Sequence, residues 1–446
     1  MSRAGWVSLG LAVFGLGGCA AYVPAPPHPE RFQPALEART LAEKPPGTAW
    51  SGADLLSAAV AHNAQIAEAK AKYLTALAAQ RAARSPSGPS LTLTAEYAKE
   101  SPQWGYGGAG DIPLDYGARR SVRITTAQLQ ALQALYDYGE AVWSVRTDLE
   151  KARIALTAAD AEIALAGQAA DARRLRAERL NQRVAAGQDA RAVAITAQGE
   201  AVAAERRLSQ ARGRRETALV NLAKVLGVSP GVAAALILAP VADRAPPGDL
   251  AALRQDAALS RRDVLRAVAD YDLAENALRL QIANQYPQVS IGPGYNYDHG
   301  VTKLPFNLSL ALPPYDLNRR AIAQAEAARA AAGRSLELAQ ANALAAVDTA
   351  QAALVTARLD QERTGGRDVP AAQRAADGAA RAVKAGESDR IDDLAAQAAL
   401  IEARLSLLDA ESATKTATAD LEDALRRSFD PAEAAVMDKA MGEGAR

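Results

Sequence analysis

The amino-acid sequence predicts a mostly α-helical fold with a small β part, in which one plan of helix, β-hairpin, long helix, turn and helix is built twice. Three observations lead to this prediction. Alanine is the dominant residue and aromatic residues make up only 4 % of the 446 positions, a composition that favours long helices over extensive sheet. The second half of the chain repeats the first. Short alternating segments interrupt the helical runs at matching places.

The repeat is visible in single residues. Tyr73 recurs 198 positions later as Tyr271, and Gly187 recurs 199 positions later as Gly386. Between the two halves, segment 228–248 has proline and glycine near both ends, as linkers do. A duplication with almost no gaps indicates two copies of one structural unit within the chain.

Four long helices are predicted from the apolar periodicity. A first helix opens each half, over 52–84 and 249–285, and a very long helix follows the strands, over 118–186 and 318–385. Apolar residues in the long runs alternate spacings of three and four, the heptad of left-handed supercoiled packing. A two-helix coiled-coil spacer is the simplest interpretation of this period alone. The long runs, however, have broad alanine-rich surfaces. Such surfaces suit a helix in the wall of a cylinder, which packs against a neighbouring helix on each side.

Glycine turns end the two long helices. Gly187 and Gly386 can adopt the left-handed conformation that terminates a helix, and we expect Asp189 and Ser388 to cap the returning helices. Any hairpin of two helices can use this device, so the turns by themselves define no function.

Four short segments are predicted as strands, near residues 89–97, 104–114, 287–297 and 306–313. In three of them apolar residues alternate with small polar ones, whereas 104–114 alternates poorly. One apolar face and one small polar face is the pattern of strands in an outer-membrane barrel, although a half-buried hairpin of a soluble protein also gives it. Since four strands cannot close a barrel, several chains would have to contribute.

The N-terminus has the pattern of a bacterial lipoprotein signal. Arg3 precedes a short apolar run that ends in Leu16-Gly17-Gly18-Cys19, and this run is too short to span a bilayer stably. The ending resembles a lipobox, in which the cysteine is acylated and becomes the first residue of the mature chain. Small residues occupy both positions before Cys19, so we expect a covalent lipid there and no other cofactor. Because Cys19 is the only cysteine, no intrachain disulfide is possible. The alternative is an ordinary signal peptide that contains a cysteine.

These features divide the chain into six segments. They are a signal peptide (1–18), a lipidated cysteine with a proline-rich extended tether (19–50), a first repeat (51–227), a linker (228–248), a second repeat (249–429) and a C-terminal tail (430–446).

Composition and motifs argue against several classes of protein. Basic and acidic residues are equal at 51 each, so net charge gives no reason to expect nucleic acid as a partner. There is no GxxxxGK[ST] phosphate loop, and the three histidines are scattered. We therefore expect neither an enzyme nor a metal site.

Three stretches together carry a family resemblance. "YPQVSIGPGYNYDHG" with "LSLALPPYDLNRRAIAQAEAARA" resembles the second strand pair and long-helix entry of the TolC family, and "AVKAGESDRIDDLAAQAAL" resembles its second helical tip. That family comprises the outer-membrane factors of tripartite efflux and type I secretion systems. The resemblance covers residues 51–429. It implies a homotrimer in the bacterial outer membrane, with one shared 12-stranded barrel and an α-helical tunnel in the periplasm.

The resemblance also implies a passive duct with two partners. They are a periplasmic adaptor (membrane fusion) protein and an inner-membrane transporter of the RND, MFS or ABC class. The two glycine turns would be the hairpin tips that meet the adaptor, and the residues at or beside the turns are Val184, Gly187, Val383 and Gly386.

Acidic residues just past the second tip narrow the closed entrance in family members. The candidates here are Asp389, Asp392 and Asp393. Asp392 matches the first family aspartate, but the second falls at Ala395, so this chain departs from the pattern. A solvated first turn favoured by the helix dipole is the alternative interpretation.

Two other functions compete with the duct. A lipid-anchored periplasmic adaptor has a single hairpin between two half-lipoyl motifs, which the duplicated plan does not match. A coiled-coil envelope scaffold does not account for strands with one apolar and one polar face. The duct is therefore the favoured hypothesis.

Overall fold

The computed structural model describes residues 22–41, 44–45, 47–99, 103–114, 118–298 and 300–444. Contacts divide the chain into a short N-terminal unit that ends at Arg39 and a large unit that begins at Thr40. In the short unit a 3-10 turn (Pro29–Arg31) runs into helix α1 (Phe32–Glu37), so the prediction of a wholly extended tether is wrong there. Pro29 explains this start, because its fixed φ and missing N–H suit the first turn of a helix.

The large unit contains two copies of one series of elements. The first copy comprises α2 (Gly52–His62), α3 (Ala64–Ala82), β1 (Ser90–Tyr97), β2 (Trp104–Pro113), α4 (Ala118–Ala185) and α5 (Arg191–Leu226). A short helix, α6 (Pro230–Ala234), follows it. The second copy comprises α7 (Leu250–Ser260), α8 (Arg262–Ala283), β3 (Gln288–Asp298), β4 (Val301–Lys303), β5 (Phe306–Ala311), α9 (Arg319–Arg363), α10 (Val369–Ala385) and α11 (Arg390–Leu425). Helix α12 (Pro431–Gly444) ends the chain. This order confirms the duplicated plan.

The first helix of each copy is broken in the middle, where the sequence predicted one continuous helix. The breaks fall at Asn63 and Arg261, which are equivalent residues of the two copies. Asn63 donates through Nδ2 to the carbonyl of Val225, 2.8 Å away, and Arg261 donates through Nη1 to the carbonyl of Ala424, 2.7 Å away. Each break therefore places a polar side chain next to the last turn of the returning helix of the same copy. There it donates to a backbone carbonyl that would otherwise lack a hydrogen-bond partner.

The two long helices differ. Helix α4 runs without interruption for 68 residues, about 100 Å at the helical rise. Its counterpart is predicted as continuous, but a π-helical turn at Thr364–Asp368 separates α9 from α10. Gly365 and Gly366 lie in this turn and Pro370 follows it. The missing proline N–H and the low helix propensity of glycine explain why the α-helical ladder is interrupted here.

The helices form one continuous layer. Between the breaks and the strands, the helices α3, α4, α8 and α9 lie side by side in that order. Between the breaks and the glycine turns, the order is α5, α4, α11 and then α9 with α10. The main core lies at the level of the breaks, where α2, α4 and α5 meet around Leu55, Leu56, Trp143, Leu222 and Leu226. Elsewhere alanine fills most buried positions, so neighbouring helix backbones can approach closely.

The strands form one antiparallel sheet in the order β1, β2, β3. The far edge of β3 pairs with β5 over Gln288–Pro293 and with β4 over Asn296–Asp298. Strands β4 and β5 thus share the fourth position, interrupted at Leu304 and Pro305, because proline has no N–H for the ladder. All four predicted strand segments are confirmed, including the poorly alternating 104–114.

Candidate functional site: the hairpin tips and the sheet faces

The two glycine turns have the same geometry. Gly187 and Gly386 both have a φ of 75°, in the left-handed region that glycine adopts without strain. At the first tip Gly187 N–H donates to Val184 O at 3.0 Å and Gln188 N–H to Arg183 O at 2.9 Å. The second tip repeats this pair of bonds at equivalent positions. This is the Schellman motif that ends a helix, so the predicted helix reversals are confirmed.

The predicted capping residues are wrong by one position at each tip. Helix α5 begins after Ala190 and helix α11 after Asp389. Asp189 is drawn away by Arg183, whose Nε lies 2.7 Å from its carboxylate. Ser388 donates through its hydroxyl to Asp392 at 2.7 Å. An ion pair at the first tip and a side-chain hydrogen bond at the second thus take the place of capping.

Arg183 connects the two tips. Its guanidinium lies between Asp189 of its own turn and Asp389 of the second tip, to which it donates a hydrogen bond. Burial acts to raise the pKa of Asp389, but the hydrogen bond from Arg183 and nearby backbone N–H groups outweigh it, and the pKa is lowered. Arg183 was not among the site residues predicted from the sequence. Its local signal was Asp189 six residues later, and nothing in the sequence pointed to Asp389 as its partner.

The three candidate gate aspartates have different environments. Asp389 is held by Arg183, and its side chain is 44 % exposed. Asp392 is exposed. Asp393 is only 1 % exposed, and it accepts from Gln397 and pairs with Arg390, each at 3.0 Å. Only Asp389 and Asp392 therefore present carboxylate surface to solvent, and the gate role of all three stays a prediction.

The residues expected to contact an adaptor lie at the ends of the hairpins. Val184 and Val383 are half-buried, whereas Gly187 and Gly386 are exposed. A methyl group at either glycine would meet no atom within 4 Å. The turns are therefore small, open surfaces, and their contact with a partner stays a prediction.

Further along the hairpins, Glu402 joins the second copy to the first. Its two carboxylate oxygens accept from Arg173 of α4 at 3.3 Å and from Arg207 of α5 at 2.8 Å. Directly beside it, Ile401 and Leu405 pack on Ala169. Hydrogen bonds and packing together fix α11 against the hairpin of α4 and α5.

A buried network of charged residues lies at the level of the helix breaks. It contains three arginines and four carboxylates: Arg146, Arg153, Arg244, Glu150, Glu422, Asp430 and Glu433. Arg146 is 1 % exposed, and its Nη2 lies 2.6 Å from Glu422 and 2.7 Å from Glu433. The network ties α4, the segment after α6, the end of α11 and the start of α12 into one joint.

This network was not predicted from the sequence, although its signal is present. Arg146 and Arg153 are one heptad apart on α4 with Glu150 between them, beside the apolar seam. The apolar periodicity drew attention to the seam and not to the charges next to it. The segment treated as a C-terminal tail supplies Glu433, whose burial only the fold reveals.

Strand register separates the sheet into two chemically distinct faces. Opposite residues share a face, and the pairs Ile112 with Ile291 and Ile291 with Leu308 are apolar. The opposite face carries mainly small or polar residues, with Pro113 and Val301 as exceptions. Its small and polar residues are Ser90, Thr92, Thr94, Glu96, Gly105, Gly107, Ala109, Asp111, Ser290, Gly292, Gly294, Asn296, Asn307 and Ser309. The predicted alternation is thus continued across all four strand positions.

Aromatic residues border the apolar face at both ends. At the loop end, Tyr97 packs edge to face on Trp104, and Tyr106 stacks on Tyr297. At the end next to the helices, Tyr286 just before β3 and Tyr315 shortly after β5 have exposed side chains. Leucine, isoleucine and valine lie between these levels. An apolar band between two aromatic levels is the surface that outer-membrane strands present to lipid.

The polar face is the more crowded of the two. A Cβ on Gly292 would lie 2.8 Å from Gly110 O, and one on Gly107 would lie 3.0 Å from both Asn296 Oδ1 and Tyr295 O. Close approach of neighbouring strands explains why glycine occupies these positions. Crowding on this face is expected if the sheet curves toward it.

The described residues contain no group of three or more histidine, cysteine, aspartate or glutamate side chains that could hold a metal ion. Among the same residues, no helix is both long enough and apolar enough to cross a bilayer. Cys19 lies outside the described part of the chain.

Comparisons with known proteins agree with this geometry. The outer membrane efflux protein family model matches residues 55–228 and 253–425, more than half of the chain. A membrane protein from Pseudomonas aeruginosa superposes with a TM-score of 0.72 at 20 % identity, covering 87 % of this chain and 95 % of its own. The outer membrane protein VceC from Vibrio cholerae gives 0.69 at 19 %, covering 84 % and 96 %.

The CmeC outer membrane channel of Campylobacter jejuni gives a TM-score of 0.71 at 12 % identity, covering 96 % of this chain and 98 % of its own. No curated protein sequence matches the chain. At these identities the structural likeness shows the fold alone, and the family model carries the assignment.

The duplicated hairpins and the two-faced sheet define the protomer of an outer-membrane channel component. The chain belongs to the outer membrane efflux protein family, whose members are channel components of tripartite efflux systems rather than enzymes. The adaptor and scaffold hypotheses are thereby set aside.

Proposed function

We propose that three copies of this chain form a passive export duct through the outer membrane. The observation that carries the proposal is the sheet, which presents one apolar face between two aromatic levels and one face of small polar residues. An apolar outside and a polar inside are what a water-filled barrel in lipid requires.

The unpaired edges of the sheet support a trimer. In the described residues, β1 has a partner only in β2, and β4 and β5 pair only with β3, so each protomer leaves two open edges. Open edges are a liability unless another strand covers them. Four strand positions are too few to close a barrel, whereas three copies give 12, an even number within the known range.

The helical layer supports the same arrangement. Its edge helices between the breaks and the strands are α3 and α9, which are also the helices that enter β1 and leave β5. When the β1 edge of one protomer pairs with the β5 edge of the next, α3 and α9 of the two protomers would therefore also lie side by side. A closed ring of helices would carry the polar interior of the barrel onward as a tunnel.

We further propose that the hairpin tips meet a periplasmic adaptor protein, which connects the duct to an inner-membrane transporter. Support comes from the exposed glycine turns and from the Arg183–Asp389 link, which presents both tips as one surface. Nothing in the chain supplies an energy source for transport, since no phosphate-binding loop is present in the sequence. The transporter would supply it.

Lipidation at Cys19 is proposed as a second membrane attachment. One acyl chain holds a protein at a membrane only weakly, and additional chains or another anchor are needed for stable attachment. Labelling with palmitate should mark the wild type and not Cys19→Ser. Label retained in Cys19→Ser would refute the assignment.

The duct is tested by trimer formation and export together. An outer-membrane fraction should contain a species that migrates as a trimer in sodium dodecyl sulfate and as a monomer after heating. Export in a strain without its own duct should depend on the chain. A monomer in that fraction, or export unaffected by deleting the chain, would contradict the proposal.

A further inference from the structure

Arginine is concentrated where the chain passes between the sheet and the helices. The four crossings, 81–89, 114–123, 279–287 and 312–320, contain only two acidic residues, Asp115 and Asp316. Against these stand eight arginines: Arg81, Arg84, Arg119, Arg120, Arg123, Arg279, Arg319 and Arg320. Since the whole chain has equal numbers of basic and acidic residues, this level carries a local excess of positive charge. We call these eight residues the arginine collar.

Part of the collar binds backbone carbonyls near helix ends. Arg119 Nη2 donates to Tyr286 O at 2.6 Å, and Arg120 Nη2 donates to Arg84 O at 3.3 Å. The two carbonyls belong to the turns that follow α8 and α3. These bonds hold the guanidinium groups at the base of the sheet but leave their charge in place, because a carbonyl is neutral.

Arg123 likewise donates to Ala83 O and Ser85 O, both at 3.2 Å, and Arg279 Nε lies 3.6 Å from the carboxylate of Glu275. Three other arginines of the collar have no such partner. Arg84, Arg319 and Arg320 are exposed, and none of them has a side-chain hydrogen bond or a carboxylate within ion-pair distance among the described residues. The one described aspartate at this level, Asp316, accepts from the backbone of Asn318 instead. Free, exposed guanidinium groups concentrated at one level indicate an external anionic partner.

A groove at the same level shows which kind of anion fits. It lies between the start of α4 and the end of α8 and has a volume of about 550 Å³. Arg119 and Arg279 line it together with apolar Val122, Ile282 and Tyr286. A combination of guanidinium groups and apolar surface suits a lipid, whose phosphate and acyl chain need both.

The groove is also placed so that it stays open in an assembly. Helices α4 and α8 are the two middle members of the layer α3, α4, α8, α9. Copies that associate through their edges would therefore not cover it. Pro287 lines the groove and lies two residues before Val289, on the same side of the chain as the apolar residues Val289 and Ile291. The groove therefore lies next to the end of the apolar face that is nearer the helices.

We propose that the arginine collar binds the phosphate groups of anionic phospholipids in the leaflet next to the helices. The proposal rests on the membrane placement of the sheet proposed above. Arginine forms paired, charge-assisted hydrogen bonds with phosphate, and Tyr286 and Tyr315 lie at the same level, as aromatic residues do at a membrane interface. The collar thereby fixes the height of the sheet in the bilayer.

The test uses the full-length protein purified as the trimer, with phosphatidylglycerol as the probe and phosphatidylethanolamine as the neutral comparison. The collar variant combines Arg120→Gln, Arg123→Gln and Arg279→Gln, which lie on the middle helices α4 and α8, away from the edges that the trimer would cover. Glutamine removes the charge but keeps a donor for the carbonyls that Arg120 and Arg123 bind. The control variant removes the same charge far from the sheet, through Arg191→Gln, Arg206→Gln and Arg212→Gln, all exposed positions on α5. Bound lipids are counted by native mass spectrometry during a titration.

We expect wild type and control to prefer phosphatidylglycerol, and the collar variant to bind it at least about tenfold more weakly, since each surface basic residue contributes roughly a factor of five. Inorganic phosphate at equal concentration should not displace the lipid. Unchanged binding in the collar variant, an equal loss in the control, or displacement by phosphate would overturn the proposal. Trimer migration and export are measured separately, so their failure would count against the duct and not against the collar.

Discussion

Arg183, in the last turn before the first glycine, donates a hydrogen bond to Asp389, which begins the returning helix after the second glycine. The two residues are 206 positions apart and belong to different copies of the repeat. The residue equivalent to Arg183 in the second copy is Ala382, so the duplication did not preserve this contact. It joins two otherwise similar hairpins at their free ends.

Breaking this link should loosen the tips without affecting the rest of the molecule. In Arg183→Gln we expect faster amide hydrogen exchange at residues 183–193 and 383–393, with unchanged trimer stability. Arg179→Gln is the matched control, because among the described residues the guanidinium of Arg179 hydrogen-bonds only to Gln182, in its own helix. Equal exchange in both variants would show that the link does not hold the tips together.

The link should persist at all pH values at which the protein is normally studied. The folded-state pKa of Asp389 lies below its ordinary value of 3.8, so its stabilising contribution is present above that value and is lost as pH falls through the lowered pKa. After correction for intrinsic exchange rates, the protection of the tip amides from hydrogen exchange should therefore not change between pH 5 and pH 8, a range that lies above the titration of Asp389. A step within that range would exclude Asp389 as the titrating group.

The tip glycines should be needed for their backbone conformation and not for space. Gly187→Ala and Gly386→Ala should each destabilise the local hairpin by about 1 kcal/mol, because alanine is strained at positive φ. Gly199→Ala is the control: Gly199 lies within α5 with no atom near its missing Cβ, and alanine there should stabilise the helix by about 0.5–1 kcal/mol. Hydrogen exchange in α5 and at the tips would distinguish the two outcomes.

The buried network should make a large contribution to stability. Arg146→Ala leaves Glu422 and Glu433 buried without their main partner, and losing one side of a buried pair costs about 3–5 kcal/mol. Arg254→Ala removes an exposed partner of Asp348 and should have a much smaller effect. Denaturant unfolding of both variants measures the difference. Similar midpoints would mean that the network is not a structural joint.

Glu422 should make stability depend on pH. Its burial outweighs the opposing effects of Arg146 and Arg244 and raises its pKa above the ordinary 4.5, in keeping with four carboxylates facing three arginines. A carboxyl group with a raised folded pKa destabilises the fold as pH rises from its unfolded value through the folded one. Wild-type stability should therefore fall over that range, and Glu422→Gln should flatten the profile. Parallel profiles would assign the proton to another group.

The two neighbouring aspartates past the second tip should differ in effect. If the entrance is the cation-selective gate predicted from the sequence, Asp392→Ala should reduce cation selectivity in planar-bilayer recordings, because its carboxylate is exposed. Asp393→Ala should instead destabilise the hairpin by about 1–3 kcal/mol, since it removes a buried acceptor from Gln397. Reduced selectivity in Asp393→Ala alone would reverse this assignment.

The sequence by itself determined the elements and their order. Local signals fix these features: apolar spacing defines the helices, alternation defines the strands, and glycine marks the turns, as Gly187 and Gly386 show. The duplication supported each prediction, because the same pattern occurs at two equivalent positions in the sequence. The two faces of the sheet also followed from alternation, because the side-chain period of a strand is fixed by its backbone.

Only the tertiary structure decided which residues meet. Asn63 and Arg261 interrupt helices that propensity alone would continue, because the carbonyl groups that they satisfy lie more than 160 positions away. Arg183 meets Asp389, and Glu433 meets Arg146, across similar distances in sequence. A hydrogen bond between distant residues leaves no periodic trace in either segment, so the packing of the layer alone brings such partners together.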